Sequence, residues 1–433
     1  MRKFLPNFGI GIALVSTAVV LALLPWTALA AMAALFIVWM AAGRRGQQAW
    51  SVTRVALVTI PQRLGSSTVV VIGIAGVVGV LIALLAMGEG FQATLKQTGS
   101  DDTALVIRAG ANTELNSVLM HDAVVQIEQA PGVLKDPKGQ PIVSAEIVVA
   151  ASLPRKGGGQ DANVEIRWVG PQVWNLRPNA KITSGRRFAS GLRELVVGNG
   201  AQAQFAGLNA GSTIKLNNQV WTIVGTFDSG DAYYSELWGD ADIVASTYRR
   251  GNSVTDVAVR LTSANAFKAA LAANPQLTVD VQTTREYFSK QSEGLVKLIR
   301  IIAGVIGTIM AIGAIFGALN TMYAAVAARA REIATLRAIG FRGLPVVVSV
   351  LLETMLLALL GGLLGAAIAW LLFDNYTAST LSANFSQVVF NFKVSMELVL
   401  TGLKWALVIG FVGGALPALR AARLPVAVAL REQ

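Results

Sequence analysis

Apolar residues in this chain gather into long unbroken runs, and ordinary alternation of polar and apolar positions is confined to one central segment, 89–300. The runs at 4–42, 67–87, 301–327, 345–373 and 398–416 approach or exceed the roughly 20 residues that carry a helix across a hydrocarbon core about 30 Å thick. The first is too long for one ordinary span. Pro25 and Trp26 near its middle suit a tight turn at the outer membrane surface. The expectation is a transmembrane hairpin over 1–43, closed on the inside by Arg44 and Arg45. A cleaved signal peptide is the alternative, with Arg2 and Lys3 at the start and Ala28-Leu29-Ala30 as a cleavage-like site. Against it, the apolar run continues well past Ala30. Residues 44–66 set Arg54 and Arg63 among Trp50, Val52, Val55, Leu57, Val58 and Ile60, the pattern of an interfacial helix. Counting 67–88 as a third helix, about six spans are expected. Gly73, Gly76 and Gly79 on one span, and Gly313 with Gly317 on another, are expected to mark close helix contacts.

Between the runs at 301–327 and 345–373 lies a loop, 328–344, that carries Arg329, Arg331, Arg337 and Arg342. The positive-inside bias places it in the cytoplasm, and the other short basic loops put both termini there and 89–300 outside. Ile333, Leu336, Ile339 and Phe341 recur at near-helical spacing, and Gly340 suits a helix stop. The loop therefore predicts a short basic amphipathic helix. It serves either as an orientation signal and interfacial anchor, or as a handle gripped by another protein.

The central segment predicts helical ends, 91–98 and 286–300, continuous with the neighbouring spans as a two-helix stalk. Between them, 104–108, 142–151, 254–261 and 277–282 read as strands, with helices at 117–129 and 264–273. That order is βαβ, an insertion, then βαβ: a split ferredoxin-like unit. The insertion, roughly 160–250, is β-rich, with strands expected at 195–197, 213–216, 220–226 and 242–245. Gly157-Gly158-Gly159 suits a flexible tip. The fold class is thus an α-helical integral membrane protein with a large α+β extracytoplasmic domain on a helical stalk, and residues 374–397 form a short external loop.

Composition agrees and removes several chemistries. Of 433 residues, 54% are hydrophobic and 14% charged, which suits a membrane protein with room for one sizeable soluble domain. The net charge of +11 sits in short loops beside apolar runs, so topology accounts for it better than nucleic acid. There is no Cys, which excludes disulfides and thiolate chemistry, and one His, His121, which excludes clustered-His metal sites. No Gly-x4-Gly-Lys-[Ser/Thr] occurs, so ATP and Mg belong to another subunit if ATP drives the protein. No catalytic, cofactor or metal residues are assigned. Asp101, Asp102, Asp228, Asp231, Glu236, Asp240 and Asp242 match no ligand spacing and read as turn acids on a domain surface. Tyr233, Tyr234 and Trp238 serve a partner contact or a core equally well.

Two ionisable residues lie within spans. Glu353 is deep enough to require protein, water or a partner, or to be a protonated structural carboxyl. Lys404 is near enough to its helix start to snorkel.

The run Arg331-Glu332-Ile333-Ala334-Thr335-Leu336-Arg337-Ala338-Ile339-Gly340, followed by Leu351-Leu352-Glu353 and Gly361-Gly362-Leu363-Leu364-Gly365, resembles the FtsX-like permease domain of MacB-type ABC transporters. Pro417-Ala418-Leu419-Arg420-Ala421-Ala422-Arg423-Leu424-Pro425 and Val428-Ala429-Leu430-Arg431 resemble that family's carboxyl end. Glu194-Leu195-Val196-Val197-Gly198, Leu208-Asn209-Ala210-Gly211 and Val224-Gly225-Thr226-Phe227 resemble its extracytoplasmic domain. The likeness is loose over 47–433 and close over 285–433. It implies domains at 89–300 and 301–433, and selects the handle reading of the loop. Arg329, Arg331, Glu332, Leu336, Arg337 and Gly340 would form a coupling helix that docks on a separate ATP-hydrolysing subunit. Glu353 would serve the dimer or the coupling machinery. The resemblance further implies a second permease copy or paralogue, a periplasmic adaptor and outer-membrane channel, and export of drugs, peptides or lipoproteins by mechanotransmission. A non-transporting FtsX-type regulator of cell-wall hydrolases is the alternative. The family pattern lacks the 1–43 hairpin.

Overall fold

A computed structural model describes residues 16–423 apart from 18, 59–63, 159, 248–252, 383 and 385. The first helix of the expected 1–43 hairpin, the tip glycine Gly159 and the terminal motif from Leu424 onward therefore fall wholly or largely outside the described residues. The chain divides into two compact units: 1–87, 299–374 and 393–433 form one, and 88–298 with 375–392 form the other.

The first unit is helical. Helix α1 (Trp26–Ala42) follows a break at Pro25, and α2 (Arg44–Val58) leaves it at 98°. Helix α3 (Leu64–Thr98) begins in this unit, as α9 (Thr284–Ala328) ends in it. Helices α10 (Ala330–Ala338), α11 (Gly343–Phe373) and α12 (Met396–Ala422) complete it. Helices α3, α9, α11 and α12 are long and apolar enough to cross a membrane. The bent pair α1–α2 adds at most a fifth span among the described residues, against the six expected.

Ile74, Val78 and Ile82 of α3 meet Leu357 and Ala358 of α11 and Ala406 and Ile409 of α12 in one core. Close approach depends on small residues, and of those expected only Gly79 takes part: a Cβ there would stand 3.4 Å from the Gly365 carbonyl oxygen. A Cβ on Gly73, Gly76, Gly313 or Gly317 would meet nothing within 4 Å. The tight crossing lies between α3 and α11. There a Cβ on Gly361 would stand 2.7 Å from the Val71 carbonyl oxygen, and one on Gly365 would run into that of Ala75. A glycine step shows that a helix has a smooth strip but not which neighbour uses it.

The second unit is built on one long sheet. Its strands are β1 (Thr103–Arg108), β3 (Val143–Leu153), β4 (Ala162–Val169), β5 (Lys181–Gly185), β6 (Glu194–Gly198), β7 (Thr213–Leu216), β8 (Gln219–Asp228), β9 (Leu237–Asp240), β11 (Asp256–Arg260) and β12 (Val279–Thr283), with β2 (Leu119–Met120) and β10 (Ser253–Val254) paired apart. The strand order is β12-β1-β11-β3-β4-β9-β6-β8-β5, with β7 on β8. Helices α4 (His121–Glu128) and α8 (Ala264–Ala272) cover the half formed by β1, β3, β11 and β12, around a core that includes Ile127, Val257, Val259 and Phe267.

Strand β3 is long enough to serve both halves: Glu146 pairs with Asp256 of β11, and Ile147 pairs with Trp168 of β4. The second half closes on Trp168 and Trp221, whose rings lie 4.6 Å apart. It also carries the short helices α5 (Val173–Leu176) and α6 (Asn199–Gln204).

Two expectations fail here. Residues 242–245 are not a strand but part of helix α7 (Ala241–Thr247). Asp240 Oδ1 accepts from the Asp242 amide at 3.2 Å, satisfying an amide at the helix start, and Val244 turns inward. The stretch 374–397 is not a plain loop but carries a hairpin, β13 (Thr377–Leu381) and β14 (Gln387–Asn391), which belongs to this unit. Gly90 admits it, because any Cβ there would collide with the Asn391 carbonyl.

Candidate functional site

Helix α10 sits where the basic loop predicted it. Ile333 and Ala334 are buried, Leu336 and Arg337 half-buried, and Arg331, Glu332, Thr335 and Gly340 exposed. One apolar face is thus held while a mixed-charge face stays open. Glu332 in the first turn and Arg337 in the last complement the helix dipole. The stop is backbone chemistry: Gly340 has φ +105°, and the amides of Gly340 and Phe341 donate to the carbonyls of Arg337 and Leu336. A residue with a side chain is strained at that φ.

Arg329 does not share the open face. It is buried at the start of α10 and turns back toward the spans, where Nη1 donates to Glu353 Oε2 at 2.9 Å and Nη2 to the Ala56 carbonyl at 3.3 Å. The sequence grouped Arg329 with the exposed basic residues, because loop arginines read as solvated. In the fold it answers the requirement posed by Glu353, whose carboxylate is 4% exposed. The pair pins the loop to α11 and, through Ala56, to α2. Above it opens a small groove of about 50 Å³ between Val52 and Val55 of α2 and Glu332, Ile333 and Leu336 of α10. Lys404 likewise does not simply snorkel. Its Nζ donates to the Leu24 carbonyl at 3.0 Å and lies 5.6 Å from the Trp26 ring centre, using an acceptor freed by the break at Pro25.

The second unit holds a site that sequence reading missed. Arg167 of β4 is fully buried and surrounded by carboxylates. Its Nε donates to Glu236 Oε2 at 2.8 Å, Nη1 to Glu114 Oε1 at 2.7 Å and Glu146 Oε2 at 3.0 Å, and Nη2 to Glu165 Oε1 at 2.8 Å and Glu236 Oε1 at 2.9 Å. Arg177 adds a bidentate contact to Glu146 at 2.6 and 2.8 Å and stacks over Tyr233. From the hairpin, Asn384 Nδ2 donates to Glu114 and Glu165, both at 3.2 Å, and Ser386 Oγ donates to Glu165 Oε2 at 2.9 Å.

Burial drives the electrostatics. Glu165 is pushed up to about 8, first by desolvation and then by Glu236. Burial alone would raise Glu146, but the Arg177 and then the Arg167 guanidinium hold it below the usual carboxylate range. Desolvation raises Asp231 to about 6 and Asp256 well above its ordinary value.

Glu236, Asp231 and Asp240 are consequently not surface acids, and Tyr233 and Trp238 are core. The alternation Val164-Glu165-Ile166-Arg167-Trp168 is that of a strand with one charged face. Nothing in a strand's own period reveals that a second layer covers it. Among the described residues, no group of acids or His is arranged to hold a metal.

Comparison with known proteins follows the same division. The sequence profile of the MacB-like periplasmic core domain matches residues 67–276, and that of the FtsX-like permease C-terminal region matches 304–426. The chain is 24% identical over 404 residues to an uncharacterized ABC transporter permease, YknZ, of Bacillus subtilis (strain 168), covering 87% of this chain and 98% of that one. It is 25% identical over 412 residues to a macrolide export ATP-binding/permease protein, MacB, of Azoarcus sp. (strain BH72), covering 88% of this chain and 59% of that protein. The chain therefore spans nearly all of the first relative and little more than half of the second. The solved extracellular domain of the noncanonic ABC-type transporter YknZ from Gram-positive bacteria aligns with 42% of this chain and 100% of its own, at 15% identity and a TM-score of 0.32, a likeness too faint to carry an argument.

Proposed function

We propose, for a chain that belongs to the MacB/FtsX-like permease family of ABC transporters, that it is the membrane subunit through which a separate ATP-binding subunit does mechanical work. The observation that carries this reading is the open face of α10, with Arg331 and Glu332 exposed and Arg337 half-buried, on a helix pinned to the spans by Arg329 and Glu353. Arg331, Glu332, Leu336 and Arg337 contact the ATP-binding subunit, Gly340 ends the helix, and Arg329 with Glu353 passes its displacement to α11. Glu332→Lys is expected to abolish co-purification of the ATP-binding subunit while the permease inserts and melts as before. Undiminished binding would sink the assignment.

In this reading 89–300 is the periplasmic domain with its stalk helices, and 301–433 is the permease domain. Six spans with both termini cytoplasmic complete the topology in the inner membrane. The order β12-β1-β11-β3 with α4 and α8 supports a split ferredoxin-like unit interrupted by the β4–β9 insertion. Since the chain has no Cys, a single Cys introduced at Ser152 is expected to react with an impermeant maleimide without breaching the inner membrane. Labelling only after that membrane is broken reverses the topology.

The transported class in this reading is drugs, peptides or lipoproteins, of which the relatives' names support macrolides. A dimer of this chain or a paralogue, with an adaptor and an outer-membrane channel, completes the assembly. Stimulation of ATP hydrolysis by such substrates supports transport, whereas activation of a cell-wall hydrolase supports an FtsX-type regulator.

A further inference from the structure

The carboxylate cluster of the second unit has features that neither packing nor ATP coupling requires. Its acids outnumber its bases: Glu114, Glu146, Glu165, Glu236 and Asp256 face Arg167 and Arg177. Beside them is a cavity of about 20 Å³, lined by Glu165, Glu236, Asn384 and Gln291, with space for one water. Asn384 is 3% exposed, and its Oδ1 has no hydrogen-bond donor among the described residues. The Nε2 of Gln291 has no acceptor. A water placed there would accept from Gln291 and donate to Asn384, satisfying two atoms that are otherwise costly to bury.

From the cavity a hydroxyl chain leads outward. Glu165 Oε2 meets Ser386 Oγ at 2.9 Å, and Ser386 Oγ meets Ser382 Oγ at 2.9 Å; Ser382 is half-buried. Every link beyond Glu165 lies on the 375–392 hairpin.

We propose that Glu165, with the adjoining water cavity and the Ser386–Ser382 hydroxyl chain, is a buried site for one exchangeable proton, and that its occupancy sets how firmly the hairpin is held. On release, Ser386 passes its hydroxyl proton outward to Ser382, whose own proton goes to bulk water, and takes the proton of Glu165. Uptake runs in reverse. The groups facing Glu165 are Arg167 on its own strand, Glu236 on β9, Glu114 on the turn after β1, and Asn384 and Ser386 on the hairpin. Tyr287 of α9 stands behind Glu114, and Glu146, Arg177 and Asp256 lie across Arg167.

The hairpin supplies two opposed effects. Ser386 favours the ionised form by donating to it, while the hairpin's cover adds to the burial that favours the neutral form, the first of the influences on Glu165. Docking of the hairpin therefore binds the proton more tightly, and by linkage the proton tightens docking. The sign is that of a carboxyl whose buried value, about 8, exceeds its ordinary value, 4.5. The extra hold is complete below 4.5 and is lost as pH rises toward 8.

Amide hydrogen exchange of residues 377–391, measured on the full chain in lipid nanodiscs and corrected for the intrinsic pH dependence, tests this. Protection in the parent is expected to fall by about tenfold per pH unit between about 6 and 8, and Glu165→Gln is expected to abolish that slope. An unchanged slope in Glu165→Gln, or a flat parent, overturns the proposal. Should Glu165→Gln fail to fold, infrared spectroscopy decides instead. The parent should show the C=O stretch of a neutral carboxyl titrating near 8, shifted upward in Ser386→Ala because the donor to the ionised form is gone. The absence of a neutral carboxyl at pH 7 overturns it equally. Neither readout involves the ATP-binding subunit, so failure here leaves the coupling assignment standing.

Discussion

Arg167→Met is expected to cost the α/β unit most of its stability. The guanidinium serves Glu114, Glu146, Glu165 and Glu236 at once, and its side chain is 1% exposed. Removing one partner of a single buried pair costs about 3–5 kcal/mol, because the other charge stays buried and uncompensated. Here four carboxylates lose a shared cation, so that figure is a lower bound, against a typical total of about 5–15 kcal/mol.

Part of the loss is recoverable by protonation. The variant should melt closer to the parent at pH 5 than at pH 8, since neutral carboxyls need no counter-charge. The buried indoles of Trp168, Trp221 and Trp238 report melting through fluorescence. A melting temperature within about 2 °C of the parent at pH 8, far less than such a loss implies, would show that the cluster relaxes without its cation.

The second large effect is expected at Arg329 and Glu353. Arg329→Met takes from the buried Glu353 carboxylate the guanidinium that faces it, and Glu353→Leu takes the carboxylate from the buried guanidinium. Each single variant should cost about 3–5 kcal/mol, while the double variant, with no stranded charge, should recover much of it. Thermal melting of the four proteins in detergent gives the coupling directly. Losses that simply add would mean the 2.9 Å contact does not hold α10 in place. The double variant also separates folding from function: stability should return while the link from α10 to α11 stays broken, so ATP-driven activity should not.

Much of the membrane part was legible in the sequence, because a helix in lipid must satisfy its backbone internally and be apolar along its whole length. Runs such as 301–327 and 345–373 announce themselves without reference to any partner, and the basic helix with its Gly340 stop follows from local spacing and backbone geometry. The strands of the α/β unit were mostly legible for the same reason: alternation is a local property, and 213–216 falls where it was read. Residues 242–245 were misread because so short a stretch, with β-branched Ile243 and Val244 at its centre, suits strand and helix alike, and the Asp240 cap distinguishes them.

What the tertiary structure alone decided are the partners. Glu353 was recognisable as needing one, but Arg329 lies 24 positions away, and no sequence rule joins them. Glycines were visible, yet Gly361 and Gly365 rather than Gly313 and Gly317 carry the close crossing, since contact depends on which neighbour's backbone arrives. Glu165 and Arg167 lie on β4, a strand the sequence reading did not single out. They are dry because Glu114, Glu236 and Asn384, separated by up to 270 positions, converge over them. Periodicity fixes the direction in which a side chain points relative to its own element, and burial is fixed by what the rest of the chain places in that direction.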